Sequence, residues 1–170
     1  MERTALMPTG QELQELVDRE AIRSVKYRYL RYCDAIDIPG MLSVFTDDCD
    51  VDFWPGAGIE CHGKTALEEF YNSAQSGVIA SSHHLANMDI VFSSPDRALA
   101  YSYLYSWTRD ARYPEMRDHH RWARYDDVFV RTPDGWRIAK LTYLLAGEVA
   151  DGDALRMGEP QARPIWTGRE

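Results

Sequence analysis

The hydrophobic periodicity of the chain changes near Val78 from a mainly helical to a strand pattern, and this change constrains the fold more than any other feature. Before that point most apolar residues recur at spacings of three and four, which is typical of helices with one buried face. After it, apolar and polar residues alternate in long stretches, as they do in half-buried strands. Helices followed by strands predict an α+β protein with a mostly antiparallel sheet.

The predicted elements follow from this pattern and from turn signals. Asp37 suits the N-cap of a second helix, because Pro39 then falls in its first turn. Thr132-Pro133-Asp134-Gly135 is a strong turn between the last two strands. We expect helices over Gln11–Ile36, with a buried stripe that begins at Leu13, Leu16 and Val17, over a short segment carrying Met41, Leu42, Val44 and Phe45, and over Lys64–Ser73. We expect strands over Val51–Trp54, Ile59–His62, Ser81–Phe92, Ala98–Thr108, His120–Val130 and Trp136–Leu145.

The segment Ala98–Trp107 separates two kinds of side chain by strict alternation. One face carries small and aliphatic residues, which leave room for a cavity. The other face is aromatic, which favours a sheet-to-sheet interface between subunits; the alternative is a core covered by the C-terminal tail. The first face consists of Ala98, Ala100, Ser102, Leu104 and Ser106, and the second of Leu99, Tyr101, Tyr103, Tyr105 and Trp107.

Composition places further limits on the class of protein. The 170 residues suit one domain, and the net charge of −8 argues against a general nucleic-acid binder. No apolar run approaches the roughly 20 residues that span a bilayer, and no signal peptide is visible. The three cysteines form no close pair, so we expect them to stay reduced in a cytoplasmic protein.

The C-terminal end lacks periodicity. We therefore divide the chain into a domain over residues 1–146 and an irregular tail over residues 147–170. Ile165 and Trp166 are apolar residues near the end of that tail, and they suggest that it docks. It would cap a pocket or cross to a second subunit.

Two pairs of adjacent histidines are candidates for chemistry, since the common nucleotide, hydrolase and metalloprotease motifs are absent. Adjacent residues on a strand point to opposite faces, so neither pair can chelate one metal, and we expect no metal site. One of His83 and His84 can face a cavity. We expect His119 and His120 to be exposed, because they follow a loop-like segment.

Asp34, near the end of the first helix, is the second candidate. The negative end of the helix dipole disfavours its charge, and burial would raise its pKa further. It would then serve as a base or as the partner of a histidine. Asp37 is the rival for that partnership, although we prefer it as an N-cap.

An ordered set of short motifs resembles the SnoaL-like branch of the nuclear transport factor 2-like superfamily over about residues 11–145. The motifs are Tyr29-x4-Asp34-x2-Asp37, Phe45-Thr46-Asp47-Asp48, Gly63-Lys64-x2-Leu67, His83-x3-Asn87 and Gly135-Trp136-Arg137-Ile138. The resemblance implies a cone-shaped barrel, in which a curved, mostly antiparallel sheet wraps around helices and leaves a central pocket. It also implies a homodimer or homotrimer.

Several enzymes of that superfamily, including the bile-acid dehydratase and hexachlorocyclohexane dehydrochlorinase types, use an Asp–His pair, and the resemblance matches these positions to Asp34 and His83. The tyrosine of the bile-acid dehydratase type matches Tyr29. An arginine often follows the Gly-Trp motif, and here Lys140 is the nearest match, which weakens any inference about an anionic substrate. On an ideal helix Tyr29 and Asp34 lie about 140° apart, so both line one cavity only if the helix ends, bends or is buried on most sides.

These observations predict a cofactor-independent lyase or isomerase that acts on a small, largely apolar, cyclic molecule. His83 would remove a proton from carbon, Asp34 would orient the imidazole, and Tyr29 would donate a hydrogen bond. Dehydration is the preferred reaction. The alternative is a non-catalytic ligand-binding module or the small subunit of a ring-hydroxylating oxygenase. We expect Trp54, Leu104, Ser106 and Lys140 to shape the pocket.

Overall fold

The computed structural model describes residues 7–56, 58–112 and 117–150, together with the backbone of Arg156–Met157. It confirms the α+β class. Three helices and seven strands occur in this part of the chain. They are α1 (Gly10–Ala35), α2 (Ile38–Ser43), β1 (Phe45–Trp54), β2 (Ile59–His62), α3 (Gly63–Ala74), β3 (Val78–Ser94), β4 (Arg97–Asp110), β5 (Asp118–Thr132), β6 (Gly135–Ala150) and β7 (Arg156–Met157).

The strands form one curved sheet in the order β2-β1-β6-β5-β4-β3, and β7 pairs with β6. All neighbouring strands are antiparallel except β1 and β6, which run parallel. The sheet remains open, with β2 and β3 at its two edges. Residues from α1 and α3 pack with the sheet in one hydrophobic core, which includes Ile22, Leu67, Phe129 and Ile138.

The corner between α1 and α2 determines where the last turn of α1 points. Helix α1 ends at Ala35, because Ile36 adopts a left-handed conformation with φ 55°. Asp37 then caps α2 as predicted, and its carboxylate accepts the backbone N–H of Gly40 at 2.9 Å. A Cβ atom at Gly40 would lie 2.4 Å from the ring of Tyr32, so this corner packs too closely for a larger residue.

Two helical predictions are wrong in detail. Leu13, Leu16 and Val17 are exposed, because burial along α1 begins only at Asp18 and the first two turns lie outside the core. Phe45 belongs to β1 rather than to the second helix. The carbonyl of Val44 accepts a hydrogen bond from the N–H of Ile138 on β6, so the chain joins the sheet directly after α2.

Strand β4 divides its side chains as its alternation predicts. The small and aliphatic face is buried from Ala98 to Ser106. On the aromatic face Tyr103 is 56% exposed, and Trp122 on the neighbouring β5 is 44% exposed. A subunit interface on this face stays a prediction.

The irregular segment predicted from Gly147 begins instead as strand. β6 continues to Ala150, because β5 extends back to Asp118 and its first residues offer pairing partners to Gly147–Ala150. Pairing between strands therefore overrides the weak periodicity of this segment. Ile165 and Trp166 lie outside the described residues. No helix in the described part of the chain is long and apolar enough to cross a membrane.

Candidate active site

A cavity of about 440 Å³ lies between helices α1 and α3 and the concave face of the sheet. Aromatic side chains dominate one part of its wall, where Phe53 stacks on Phe70 with ring centroids 4.3 Å apart. Polar side chains from β3, β4, β5 and β6 dominate another. The residues that line the cavity include Tyr29, Cys33, Trp54, Tyr71, His83, Leu104, Ser106, Thr108, Asp110, Arg112, His119, Arg121 and Tyr143.

The structure brings Asp34 and His83 together at this cavity. Nδ1 of His83 lies 2.6 Å from Oδ1 of Asp34, and the backbone N–H of His83 donates to Oδ2 at 3.1 Å. The hydroxyl of Ser81 donates to Oδ1 at 3.0 Å. A carboxylate only accepts hydrogen bonds, so Nδ1 carries the proton in this pair. Nε2 is then left as the acceptor, and it has no partner among the described residues.

The pKa of Asp34 is lowered, whereas the sequence predicted that burial and the helix dipole would raise it. Partial burial works to raise the pKa of the Asp34 carboxyl. The hydrogen bonds from the His83 side chain and backbone and from Ser81, together with the charge of the imidazole, outweigh that effect and lower the pKa below its usual value. Asp34 is therefore a carboxylate at neutral pH, suited to orienting a histidine rather than to acting as a base.

The two residues of the first histidine pair have different surroundings. The side chain of His83 is 17% exposed and lines the cavity. His84 is exposed, and its Nε2 lies 2.9 Å from the hydroxyl of Ser82. Strand alternation predicts this separation, and the structure identifies His83 as the residue of the pair that faces the cavity.

Tyr29 lines the same cavity from α1. Its hydroxyl accepts a hydrogen bond from the hydroxyl of Tyr71 at 3.1 Å. Burial raises the pKa of both phenols well above the usual value, so both keep their protons. Tyr29 and Asp34 lie about 140° apart on an ideal helix, but they do not both have to line the cavity. Tyr29 lines it directly, and Asp34 contacts His83, which lines it.

The remaining predicted site residues divide into two groups. Trp54, Leu104 and Ser106 line the cavity. Lys140 does not: it is exposed on β6, where Leu141 and Tyr143 point to the concave face and Lys140 therefore points away. Asp37 caps α2, and among the described residues the carboxylate that contacts His83 is that of Asp34.

Sequence reasoning missed a polar part of the wall formed by β5. His119 lines the cavity and is half-buried, contrary to the expectation that it is exposed. Burial and, to a lesser degree, the nearby Arg121 lower the pKa of His119. The alternation of Ala123, Tyr125 and other buried residues, extended backwards along β5, is the signal that places His119 and Arg121 on the inner face.

His120, the second residue of this pair, is also half-buried, on the other face of β5. Its Nδ1 lies 2.8 Å from the hydroxyl of Tyr105. No group of three or more histidine, cysteine or acidic side chains in the described residues is arranged to hold a metal ion.

Comparisons with solved structures show a shared fold. A candidate scytalone dehydratase from Novosphingobium aromaticivorans is 19% identical, with a TM-score of 0.76 over 88% of this chain and 98% of that chain. A type 2 hexachlorocyclohexane dehydrochlorinase (LinA) is 17% identical, with a TM-score of 0.74 over 87% of this chain and 97% of that chain.

A candidate aromatic ring hydroxylase from Novosphingobium aromaticivorans is 24% identical, with a TM-score of 0.71 over 84% of this chain and 94% of that chain. No curated protein matches the sequence at a significant level. Residues 14–142, which make up most of the chain, match the family of SnoaL-like domains. This range includes every residue that lines the cavity except Tyr143. The chain therefore belongs to the SnoaL-like domain family of the nuclear transport factor 2-like superfamily.

Proposed function

We propose that this protein is a cofactor-independent lyase, most simply a dehydratase, in which His83 removes a proton from carbon. The observation that carries the proposal is the contact of 2.6 Å between Nδ1 of His83 and Asp34, in a cavity where Nε2 has no partner among the described residues. An imidazole held in this way is a suitable general base. Two of the similar structures are named as a dehydratase and a dehydrochlorinase, which also supports an elimination.

The residues divide the elimination between them. Nε2 of His83 takes the proton from carbon, and the electron pair of the broken C–H bond ends in the new C=C bond. The carboxylate of Asp34 stabilises the imidazolium that results. The hydroxyl group leaves from the neighbouring carbon, accepts a hydrogen bond from Tyr29 and takes the proton from His83. The products are an alkene and water, and His83 returns to its neutral form.

The cavity indicates the kind of substrate. A volume of about 440 Å³ fits a small molecule, and Phe53, Phe70 and Trp54 provide apolar surface for a ring. We therefore propose a small, largely apolar, cyclic substrate.

The test is an elimination assay on a panel of cyclic β-hydroxy ketones and chlorinated cyclohexanes. Product is followed by the absorbance of the new conjugated bond or by release of chloride. We expect His83→Gln to lose on the order of 10²–10⁴-fold in rate on any compound that the wild type converts. His84→Gln is the matched control, since it changes the adjacent histidine on the opposite face. Full activity of His83→Gln would refute the assignment.

The alternative function is that of a non-catalytic binding module or of the small subunit of an oxygenase. The similarity to a candidate aromatic ring hydroxylase and the exposed aromatic residues Tyr103 and Trp122 keep this alternative open to experiment. It predicts no turnover of the panel and co-purification with a larger iron-bearing subunit.

A further inference from the structure

Four neighbouring strands place one residue each in a single row across the sheet. His83 on β3 pairs with Ser106 on β4, Ser106 pairs with Arg121 on β5, and Arg121 pairs with Glu148 on β6. Directly paired residues share a face of the sheet, and the first three of these residues line the cavity. Adjacent strands lie about 4.8 Å apart, so the backbones of His83 and Arg121 are roughly 10 Å apart with Ser106 between them.

The small side chain of Ser106 leaves space above the middle of this row. A ligand that lies over Ser106 has the proposed base on one side and a guanidinium on the other. The concave face brings the two longer side chains closer together than their backbones. That spacing suits a molecule that contacts each of them through one hydrogen bond of about 3 Å.

Arg121 is oriented by an ion pair with Glu148 and keeps donors for a ligand. Its Nε lies 3.2 Å from Oε2 of Glu148, whose side chain is 13% exposed. This is its one hydrogen bond to the described residues, and the N–H groups of its two terminal nitrogens remain available. Arg112, the other arginine of the wall, is bound by Asp110 through Nε at 2.9 Å. Arg121 is therefore the better placed of the two to bind a ligand.

The hydroxyl of Tyr143 is an independent sign of a ligand in the same cavity, and it lies close enough to feel the charge of Arg121. It is buried, lines the cavity and lacks a hydrogen-bond partner in the described residues. Burial raises the pKa of Tyr143 to about 12, and the charges of Arg121 and Glu148 also act on it. The phenol thus keeps its proton at neutral pH. A buried donor without an acceptor is costly, and a ligand oxygen would satisfy it.

We propose that Arg121 and Tyr143 form an oxyanion-binding subsite, which holds the carbonyl oxygen of the substrate while that oxygen becomes an enolate. The inference rests on the proposed function and narrows its substrate class to cyclic carbonyl compounds with a β-hydroxyl group. Chlorinated hydrocarbons lack such an oxygen and would leave the subsite unused.

The reaction then proceeds in two balanced steps. His83 takes the proton from the carbon next to the carbonyl, and the electron pair moves to the carbonyl oxygen, where Arg121 and Tyr143 stabilise the negative charge. The enolate next re-forms the carbonyl, the C=C bond forms, and the β C–O bond breaks. The departing hydroxide takes the proton from His83 and leaves as water. Tyr29 then serves the departing hydroxyl rather than the carbonyl.

The test uses 4-nitrophenol, whose phenolate resembles an enolate in charge and shape and differs from the phenol in absorbance. Titration of the probe from pH 5 to 9, with and without protein, measures the affinity of each form. We expect the wild type to bind the phenolate more tightly, which lowers the apparent pKa of the bound probe. Arg121→Gln and Tyr143→Phe should each weaken phenolate binding by roughly 10-fold or more, since each removes a donor to a charged oxygen.

Two control variants locate the effect. Arg124→Gln removes a positive charge from β5 three residues away, on the outer face of the sheet, and should leave phenolate binding unchanged. His83→Gln should also retain the preference for phenolate. The thermal unfolding of each variant shows that it is folded.

Three results would overturn the subsite: a wild type without preference for the phenolate, an unchanged preference in both Arg121→Gln and Tyr143→Phe, or a preference that disappears in His83→Gln instead. Because the readout is binding, the two proposals fail separately. If the protein shows no phenolate preference that depends on Arg121 and Tyr143, but elimination still depends on His83, only the oxyanion subsite is refuted. A phenolate site that depends on Arg121, in a protein without turnover, refutes only the elimination.

Discussion

Asp34 holds His83 at two points, through Nδ1 of the ring at 2.6 Å and through the backbone N–H at 3.1 Å. The first contact orients the imidazole, and the second ties the end of α1 to strand β3. We therefore expect Asp34→Asn to reduce the rate of elimination on the order of 10²–10⁴-fold, because an amide neither stabilises the imidazolium nor accepts two hydrogen bonds as strongly. Steady-state kinetics on a converted substrate measures this loss.

Asp37→Asn is the matched control for that variant. Asp37 lies three residues further along the chain and caps α2. Asparagine is also a good N-cap, so the substitution should change both the rate and the free energy of unfolding only slightly. A loss of rate in Asp37→Asn as large as that in Asp34→Asn would contradict the pairing of Asp34 with His83.

The lowered pKa of Asp34 also makes a prediction about acid stability. A carboxyl whose pKa is lower in the folded than in the unfolded protein adds stability above the unfolded pKa of about 3.9. This contribution is lost as the pH falls through the lower pKa of the folded state. Denaturant unfolding at pH 7 and at several values below pH 4 should therefore show a smaller acid-induced loss for Asp34→Asn than for the wild type. Equal losses would exclude Asp34 as a source of acid sensitivity.

Tyr29→Phe should separate proton removal from departure of the hydroxyl group. It deletes the hydroxyl that accepts from Tyr71 and faces the cavity. We expect elimination to slow by roughly 10²-fold, while exchange of the acidic C–H proton with D₂O, followed by NMR, continues at near the wild-type rate. Tyr71→Phe, which removes only the supporting donor, should slow elimination less. Equal loss of exchange and elimination in Tyr29→Phe would assign Tyr29 to the first step instead.

Lys26 and Asp127 form an ion pair in the core, apart from the proposed chemistry. Nζ lies 2.7 Å from Oδ2, both side chains are fully buried, and the ammonium lies 3.4 Å from the centroid of the Tyr125 ring. Lys26→Met would leave the carboxyl of Asp127 buried without its partner. We expect a loss of about 3–5 kcal/mol in the free energy of unfolding, measured by chemical denaturation.

The double variant Lys26→Met/Asp127→Leu tests the cause of that loss. It replaces both charges by apolar groups, so it should recover most of the stability that the single variant loses. If the double variant were as unstable as Lys26→Met, the loss would come from packing and from the cation–π contact with Tyr125 rather than from an unpaired carboxyl.

The cysteines should be unreactive in the folded protein. Burial raises the pKa of Cys33 to about 12 and that of Cys49 to about 11, and burial also raises the pKa of Cys61. Since the thiolate is the reactive form, a thiol reagent such as dithionitrobenzoate at pH 8 should label all three slowly before denaturant is added and rapidly after. Rapid labelling of Cys33 in the native state would show that the thiol is accessible and ionised through the cavity.

Periodicity in the sequence predicts the parts of this structure that depend on neighbours along the chain. The alternation along Ala98–Trp107 correctly separates a buried face from an aromatic face, and the Asp37-Ile38-Pro39 signal correctly marks a helix start. These features are local, because one strand or one turn contains all the residues that decide them.

Features that depend on distant partners could not be predicted in this way. Lys26 lies on the face of α1 that packs on the sheet. The cost of burying its charge is offset by the ion pair with Asp127, which lies about 100 residues later in the chain. Asp18 is similar: it accepts from the indole of Trp136 at 3.0 Å, so the Gly-Trp motif anchors α1 to β6. Alternation along β5 places Arg121 on the inner face, but its position opposite Ser106 and Glu148 depends on the register of β4, β5 and β6.

The tautomer of His83 tests the central claim most directly, because it needs no substrate. We predict that ¹H–¹⁵N NMR of imidazole-labelled protein shows the neutral His83 ring with its proton on Nδ1 and an unprotonated Nε2 open to the cavity. Asp34→Asn should weaken that preference. A proton on Nε2 in the wild type would contradict the account, since the nitrogen that faces the cavity could not then accept a proton from carbon.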